Sequence, residues 1–268
     1  MTPISDWFGG RSRVLFVHAH PDDESITTGG TLSALAEAGR EPLLITLTRG
    51  EQGEVMPGPM RALTDTHGLA VVRQNELKNA LHMLGLERHA FLGVEPARAE
   101  GLPATIYEDS GMSWGPDGRA TSAAEVSNDA LTKVPAIEPL NDLLAGAYLS
   151  GAQAIVSYDD GGGYGHPDHV FAHRAARAVA ASLELPFWQI VSPEAVAPVT
   201  GGPDPGLCED HDVTDWLERK LAALRCYNTQ LRVEAGHEGH TIVHVGGQRH
   251  PVGVHEHFMQ LSVDAGMM

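Results

Sequence analysis

The stretch VLFVHAHPDDESITTGG, at residues 14–30, joins an apolar run to a dense group of ionisable side chains. Its first four residues have the composition of a strand that is buried on both faces of a parallel sheet. Two histidines, two aspartates and a glutamate then follow within residues 18–24. Because buried charges are costly unless they are paired or bind a metal ion, the stretch predicts a strand that delivers polar side chains to a binding site.

The rest of the chain predicts further strands that alternate with helices. The predicted strands lie at residues 42–48, 89–94, 152–158 and 187–192, and the predicted helices at 28–39, 64–84, 136–149, 170–183 and 212–226. This order indicates an α/β fold with a doubly wound, mostly parallel sheet and helices on both faces. We expect one domain over residues 1–268, with an active-site loop at about 95–135 and a small irregular subregion at about 230–268.

Composition limits the partners of the chain. The formal net charge of −17 argues against nucleic acid, which requires basic patches. No apolar run approaches the roughly 18 residues that a membrane-spanning helix needs. The two cysteines, Cys208 and Cys226, lack a metal-binding spacing, and the first residues lack the apolar centre of a signal peptide. We therefore expect a cytoplasmic protein without a membrane partner, and its oligomeric state is open.

Two histidine motifs are predicted to meet at one edge of the sheet. The first, HPDD, follows the first strand, and the second, HPDH, follows the fourth strand along the chain. In open α/β sheets, ligands bind beyond the carboxyl ends of the strands. Two imidazoles and a carboxylate suit a catalytic zinc ion with an open position, so the candidate ligands are His20, Asp23 and His169. Asp22 would then be free to act as a general base on a water molecule that the metal makes more acidic.

Other interpretations of these motifs remain open. An aspartate after His-Pro can be an ordinary helix N-cap. The ligand set also suits Fe²⁺. A protein that binds sugar or metal without catalysis is a further possibility, although a free carboxylate beside the ligands argues against a purely structural site. A nucleotide-binding oxidoreductase is disfavoured, because the first strand–helix turn lacks the glycine fingerprint.

The paired motifs AHPDDE and HPDH resemble those of the LmbE-like (PIG-L) family of zinc-dependent N-deacetylases. The resemblance implies a Rossmann-like fold, one zinc ion per chain and hydrolysis of the N-acetyl group of an N-acetylglucosamine conjugate. It implies that His20, Asp23 and His169 bind the metal and that Asp22 is the general base. It further implies that His166 acts as an acid or stabilises the oxyanion. Asp168 would orient and charge that histidine.

Three further stretches, YGHPDH, GEQGEV and EDSGM, resemble the branch of the family that deacetylates N-acetylglucosaminyl-inositol in mycothiol biosynthesis. This implies that Tyr164 polarises the acetyl carbonyl, that Arg73 and Asp109 contact sugar hydroxyls, and that Met112 adds an apolar patch. The alternatives are a mycothiol S-conjugate amidase, or a deacetylase of another N-acetylglucosamine glycoside such as a bacillithiol precursor or a glycolipid. Amidases tend to carry a lysine soon after Asp-Asp-Glu and a proline at the position of Gly165, and this chain has neither. Tyr227 stands where relatives often carry a histidine.

Overall fold

A seven-stranded sheet lies at the centre of the computed structural model, which describes residues 3–192, 208–237 and 239–261. In chain order, the strands of these residues are β1 (Val14–His18), β2 (Leu43–Thr46), β3 (Arg88–Phe91), β4 (Met112–Trp114), β5 (Ala120–Ser122), β6 (Ala154–Tyr158), β7 (Phe187–Val191), β8 (Cys208–Asp212), β9 (Leu231–Gly236), β10 (Gly239–His244), β11 (Arg249–Pro251) and β12 (His255–Leu261). The order in the main sheet is β3-β2-β1-β6-β7-β12-β8. The first five of these strands are mutually parallel, which confirms the predicted fold class, and β12 runs antiparallel to both of its neighbours.

Helices cover both faces of this sheet. They are α1 (Asp23–Thr27), α2 (Gly29–Glu37), α3 (Pro59–His67), α4 (Leu69–Leu84), α5 (Ile137–Leu149), α6 (Pro167–Ser182) and α7 (Leu217–Leu224). Val14 and Phe16 of β1 pack with α2, α4 and α7, whereas Leu15 and Val17 pack with α5 and α6. The two-residue period of a strand thus fills two cores, one on each face. Among the described residues, no helix combines the length and apolarity needed to cross a bilayer.

Several predicted boundaries were wrong. The helix predicted at 64–84 is divided into α3 and α4, because Gly68 between them has a φ of +83°. Residues 23–27 already form a helix, ahead of the start predicted at residue 28. The helix predicted at 212–226 is shorter, since β8 ends at Asp212 and α7 begins at Leu217.

The last part of the chain is more regular than we predicted. Strands β9, β10 and β11 form a three-stranded antiparallel sheet, and β12 joins the main sheet. In β12, the buried side chains include Glu256 and Phe258. A charged residue at an inward position hides the alternation that would otherwise indicate a strand. Within the segment 95–135, β4 and β5 form a two-stranded hairpin.

A buried ion pair connects β12 to the start of α2. The Glu256 carboxylate accepts hydrogen bonds from the backbone N–H groups of Gly30, at 2.9 Å, and Thr31, at 2.8 Å. It also accepts one from Lys220 Nζ of α7, at 2.7 Å. Glu256 and Lys220 are each 3% exposed. This contact fixes the start of α2, the second helix after the first histidine motif.

Replacing Glu256→Gln is expected to lower the free energy of unfolding by about 3–5 kcal/mol, because it leaves the Lys220 ammonium buried without its counter-charge. Urea denaturation measures this loss. The matched control is Glu37→Gln, which breaks the exposed ion pair with Arg219 at 2.8 Å and is expected to cost less than about 1 kcal/mol. Equal losses in the two variants would show that the buried ion pair contributes no more to the free energy of unfolding than the exposed one.

Candidate metal centre and active site

The polar side chains that the sequence singled out converge at the carboxyl edge of the parallel sheet. His20, Asp22 and Asp23 follow β1. After β6, the start of α6 contributes His166, Asp168 and His169. The segment between β3 and β4 adds Asp109. Because β1 and β6 are neighbours in the sheet, the two motifs lie side by side. The predicted meeting of the two motifs is confirmed.

Three of the atoms form an almost equilateral triangle. His20 Nδ1 and Asp23 Oδ2 are 3.3 Å apart, as are His20 Nδ1 and His169 Nε2, and His169 Nε2 and Asp23 Oδ2. All three residues are buried. Ligands at about 2.0–2.1 Å from a tetrahedral zinc ion lie about 3.3 Å from one another. The triangle therefore has the dimensions of one face of a tetrahedral site.

Other groupings of the same side chains are also compact. The ligand atoms of His20, His166 and His169 lie within 4.8 Å of one another, and so do those of His20, Asp109, His166 and Asp168. His166 and Asp109 therefore border the space beside the triangle.

The second ring nitrogen of His20 contacts carboxylates. His20 Nε2 lies 3.2 Å from Asp168 Oδ2 and 3.5 Å from Asp109 Oδ1. Asp168 Oδ2 also accepts a hydrogen bond from the backbone N–H of Ser110, at 2.9 Å. A carboxylate on the far nitrogen of a histidine fixes the ring and makes it a better metal ligand.

The predicted orientation of His166 by Asp168 stays a prediction, and the structure shows another contact for this carboxylate. The Asp168 carboxylate faces His20, and only the backbone N–H of Asp168 contacts His166, donating to Nδ1 at 3.2 Å. The reason is local: His166 is the N-cap of α6, so its ring turns back onto the first turn of the helix. Asp168 Oδ1 is buried without a hydrogen-bond partner among the residues that the structure describes.

His166 presents a hydrogen-bond donor to the site. Burial, together with the neighbouring His20 and His169, lowers the pKa of His166 to about 2, so the ring is neutral. Since Nδ1 accepts from the helix backbone, the hydrogen bond assigns the ring proton to Nε2. His166 Nε2 lies 4.0 Å from Asp109 Oδ1, beside the triangle.

Asp22 has an unusual backbone conformation, with φ +119° and ψ −33°. It is the N-cap residue of α1, yet its side chain makes no capping hydrogen bond, which argues against the helix-start interpretation of the motif. Its Oδ2 lies 3.3 Å from Arg73 Nη2 instead. The pKa of Asp22 is raised to about 8, because the effect of burial exceeds the opposing effect of the Arg73 guanidinium. Strain of this kind persists where surrounding contacts hold the residue, and it is frequent at functional sites.

Arg73 is buried beneath this loop, with 3% of its surface exposed. Nη1 donates to the Gly50 carbonyl at 3.0 Å, and Nη2 donates to the Pro21 carbonyl at 2.5 Å. These contacts connect α4 to the strained segment at Asp22. The predicted contact between Arg73 and sugar hydroxyls stays a prediction. Both terminal nitrogens of the guanidinium already contact groups of the protein.

Of the remaining candidates, Tyr164 and Met112 lie at the rim and Asp109 lies inside the site. Tyr164 is 45% exposed, and its ring centroid is 5.1 Å from that of His169. Met112 begins β4 and is half-buried. Asp109 is buried beside His20 and His166, and its Oδ1 accepts a hydrogen bond from the Gly111 N–H at 2.8 Å. The roles predicted for these residues toward the substrate stay predictions.

Sequence reasoning missed Tyr158, the last residue of β6. Its hydroxyl donates to Asp23 Oδ2 at 2.7 Å and accepts from the Ala19 N–H at 2.8 Å. Its ring stacks on His169 with a centroid separation of 4.0 Å and an interplanar angle of 13°. One side chain thus contacts two corners of the triangle. Its place at the carboxyl end of an apolar run was the available signal.

Tyr227 contacts the first histidine motif through Glu24. It is fully buried, and its hydroxyl donates to Glu24 Oε1 at 2.5 Å. Glu24 Oε2 in turn accepts from the Asp22 N–H at 3.1 Å. Tyr227 therefore stabilises the segment of the first motif.

Known proteins resemble this chain in sequence. The model of the PIG-L family, described as GlcNAc-PI de-N-acetylase, matches residues 15–180. The 1D-myo-inositol 2-acetamido-2-deoxy-alpha-D-glucopyranoside deacetylase of Kineococcus radiotolerans is 35% identical over 292 residues, covering 95% of this chain and 78% of the relative. The protein of the same name from Actinosynnema mirum is 33% identical and covers 93% of this chain and 92% of its own length.

A solved structure shares the fold. The zinc inhibited form of teicoplanin deacetylase Orf2 has a TM-score of 0.60 to this chain at 18% identity, and the match covers 95% of this chain and 100% of the other. At this level of identity the likeness concerns the fold alone.

Replacing Tyr158→Phe is expected to weaken the binding of Zn²⁺ about 10- to 100-fold, because it removes a hydrogen bond that orients Asp23. Competition with a chromophoric chelator measures the affinity. The control is Tyr148→Phe, since Tyr148 is 72% exposed on α5 and should leave the affinity unchanged. An unchanged affinity in Tyr158→Phe would mean that the hydroxyl has no part in orienting the carboxylate.

Proposed function

Because the chain belongs to the PIG-L (GlcNAc-PI de-N-acetylase) family, we propose that it is a metal-dependent N-deacetylase acting on 1D-myo-inositol 2-acetamido-2-deoxy-α-D-glucopyranoside. The products are acetate and the free amino sugar, a step of mycothiol biosynthesis. The observation that carries the proposal is the triangle of His20, Asp23 and His169 with a further carboxylate, Asp22, beside it. The substrate is that of the relatives named above.

The donor atoms present fit a divalent zinc ion. Two imidazole nitrogens and one carboxylate oxygen lie at the mutual distance that a tetrahedral ion requires, and His20, Asp23 and His169 would hold one ion per chain. When bound, zinc polarises the acetyl carbonyl and makes a water molecule acidic enough to lose a proton near neutral pH. Nitrogen and oxygen donors also accept Fe²⁺, so the choice of zinc belongs to the proposal.

Asp22 is the general base of the proposed reaction. Its carboxylate is not part of the triangle, and its Oδ2 lies 3.3 Å from Arg73 Nη2. It takes a proton from the attacking water and returns it to the amine as the C–N bond breaks. The strained backbone of Asp22 leaves its carboxylate without a capping hydrogen bond to α1 and in contact with Arg73.

His166 stabilises the charge that develops on the acetyl oxygen. Its Nε2–H is a neutral donor aimed beside the triangle, and Tyr164 at the rim supplies a second donor from its hydroxyl. Donors held in place before the reaction stabilise a tetrahedral oxyanion without further reorganisation. Asp109, and Met112 at the start of the hairpin, are proposed to contact the sugar.

The runner-up functions differ in the bond cleaved or in the aglycone. A mycothiol S-conjugate amidase would release no acetate from the proposed substrate. A deacetylase of another N-acetylglucosamine glycoside would release acetate, but from a different compound. Acetate release from a panel of these compounds therefore separates the three.

Replacing Asp22→Asn is expected to lower kcat about 10²- to 10⁴-fold, because the reaction loses its base, while one zinc ion per chain is retained. Acetate release gives the rate, and metal analysis gives the zinc content. Asparagine tolerates positive φ better than most residues, so the fold should persist. Asp65→Asn, at an exposed position of α3, is the control.

Two outcomes would contradict this role. Full activity in Asp22→Asn would remove Asp22 as the base. Loss of zinc from this variant would instead make Asp22 part of the metal site. Dialysis of the wild-type protein against a chelator should abolish acetate release, and added Zn²⁺ should restore it.

Replacing Arg73→Lys is expected to lower kcat about 10- to 100-fold with KM nearly unchanged, because lysine cannot contact two carbonyls and Asp22 at once. Steady-state kinetics on the glycoside separates this from a sugar contact, for which KM would rise while kcat held. Arg61→Lys, exposed on α3, is the matched control.

A further inference from the structure

An aromatic pair lies exposed beside the metal centre. Of the four tryptophans, Trp7 and Trp188 are each 1% exposed and Trp216 is half-buried, whereas Trp114 is 52% exposed. Its neighbour across the rim is Tyr164, which is 45% exposed. Large aromatic side chains are usually more buried, and two of them together form a contiguous apolar surface at a polar site.

The pair extends the site outward from the triangle. The ring centroids of Trp114 and Tyr164 are 5.9 Å apart, and the planes are tilted by 35°. The Tyr164 ring in turn lies 5.1 Å from His169 and 6.1 Å from His166. Trp114 is therefore one ring further from the candidate metal than Tyr164.

The hairpin that carries Trp114 is attached to the segment of the second motif. Trp114 pairs with Ala120 across β4 and β5, and the Ala120 N–H donates to the Tyr164 carbonyl at 2.9 Å. Arg119 Nη2 also donates to the Gly161 carbonyl, at 3.2 Å. Gly165 has a φ of +101°, and a Cβ there would lie 3.0 Å from the Ala120 carbonyl oxygen. The close approach of hairpin and motif thus depends on glycine, and it gives Trp114 a defined position.

The same strand begins three residues after a buried carboxylate. Asp109 lies beside His20 and His166, and its chain continues through Gly111 into β4. A polar wall at Asp109 and an aromatic wall at Trp114 therefore come from one segment. Sugar and cyclitol rings present hydroxyls at their edges and C–H groups on their faces, and pockets for them combine these two kinds of surface.

We propose that Trp114 is a specificity-determining residue that stacks on the ring attached to the glucosamine, the aglycone, while the acetamide lies at the metal centre. The assignment rests on the proposed function. It follows from the position of Trp114 beyond Tyr164, because the glucosamine that carries the scissile acetamide occupies the space nearest the triangle. The ligand class is a saturated, hydroxylated six-membered ring with C–H groups on one face.

The experiment compares two substrates in each variant. N-acetylglucosaminyl-inositol carries the aglycone ring, and the monosaccharide N-acetylglucosamine lacks it. Trp114→Ala is expected to raise KM about tenfold for the glycoside, the loss typical of truncating an aromatic anchor, and to leave KM for the monosaccharide unchanged. Trp114→Phe should recover part of the loss. Tyr148→Ala, which removes an exposed aromatic ring from α5, should change neither value.

Equal effects on both substrates, or no effect on either, would overturn the proposal. Failure of the proposed function is distinguishable, because the wild-type protein would then release acetate from neither compound. In that case, the role of Trp114 is decided by a titration. N-acetylglucosaminyl-inositol is added to the zinc-loaded protein, and binding is monitored by tryptophan fluorescence. A fluorescence change that Trp114→Phe abolishes supports the stacking contact. No change in the wild-type protein, or a change that persists in the variant, overturns it.

Discussion

The Asp23 carboxylate lies at the start of α1, and one of its oxygens contacts groups from both histidine motifs and from the end of β6. Oδ2 accepts hydrogen bonds from the His20 N–H at 2.9 Å and from the Tyr158 hydroxyl at 2.7 Å, and it lies 3.3 Å from the near nitrogens of His20 and His169. A buried carboxylate is stable only with such compensation. The two motifs meet because β1 and β6 are neighbours in the sheet, and Tyr158 at the end of β6 contacts both Asp23 and His169.

Carboxyl groups outnumber cationic arginine and lysine side chains around Asp23. In the described part of the chain, five carboxyl groups lie at the site against one guanidinium, that of Arg73; they belong to Asp22, Asp23, Glu24, Asp109 and Asp168. Burial raises the pKa of Glu24, and hydrogen bonds from Ser25 and Tyr227 partly offset this. The imbalance favours a cation at the centre, in agreement with the ligand geometry. It also explains why the chain surrounds the site with donors from backbone and hydroxyl groups.

The sequence predicted the parts of the molecule that follow from local pattern. The parallel strands and the meeting of the two histidine motifs follow from apolar runs and from the edge at which parallel strands end. The contacts of Asp168 could not be predicted in this way, because they depend on the N-cap geometry of His166 at the start of α6. The roles of Tyr158 and Tyr227 were not predicted for a similar reason, since each hydroxyl donates to a carboxylate far away in the sequence. Strand β12 escaped because its inward Glu256 is charged and has its partner, Lys220, on another helix.

The contact of Glu256 with Gly30 joins residues 226 positions apart, so the order of synthesis matters for this fold. Chains emerge from the ribosome with the N-terminus first, so α2 emerges before β12. The N-terminal amides of α2 acquire their carboxylate only when β12 has been made and has entered the sheet. The carboxylate that holds the start of α2 is therefore in place only after β12 has joined the sheet. A chain cut short before β12 lacks this contact, so the start of α2 depends on a residue 226 positions further along the chain.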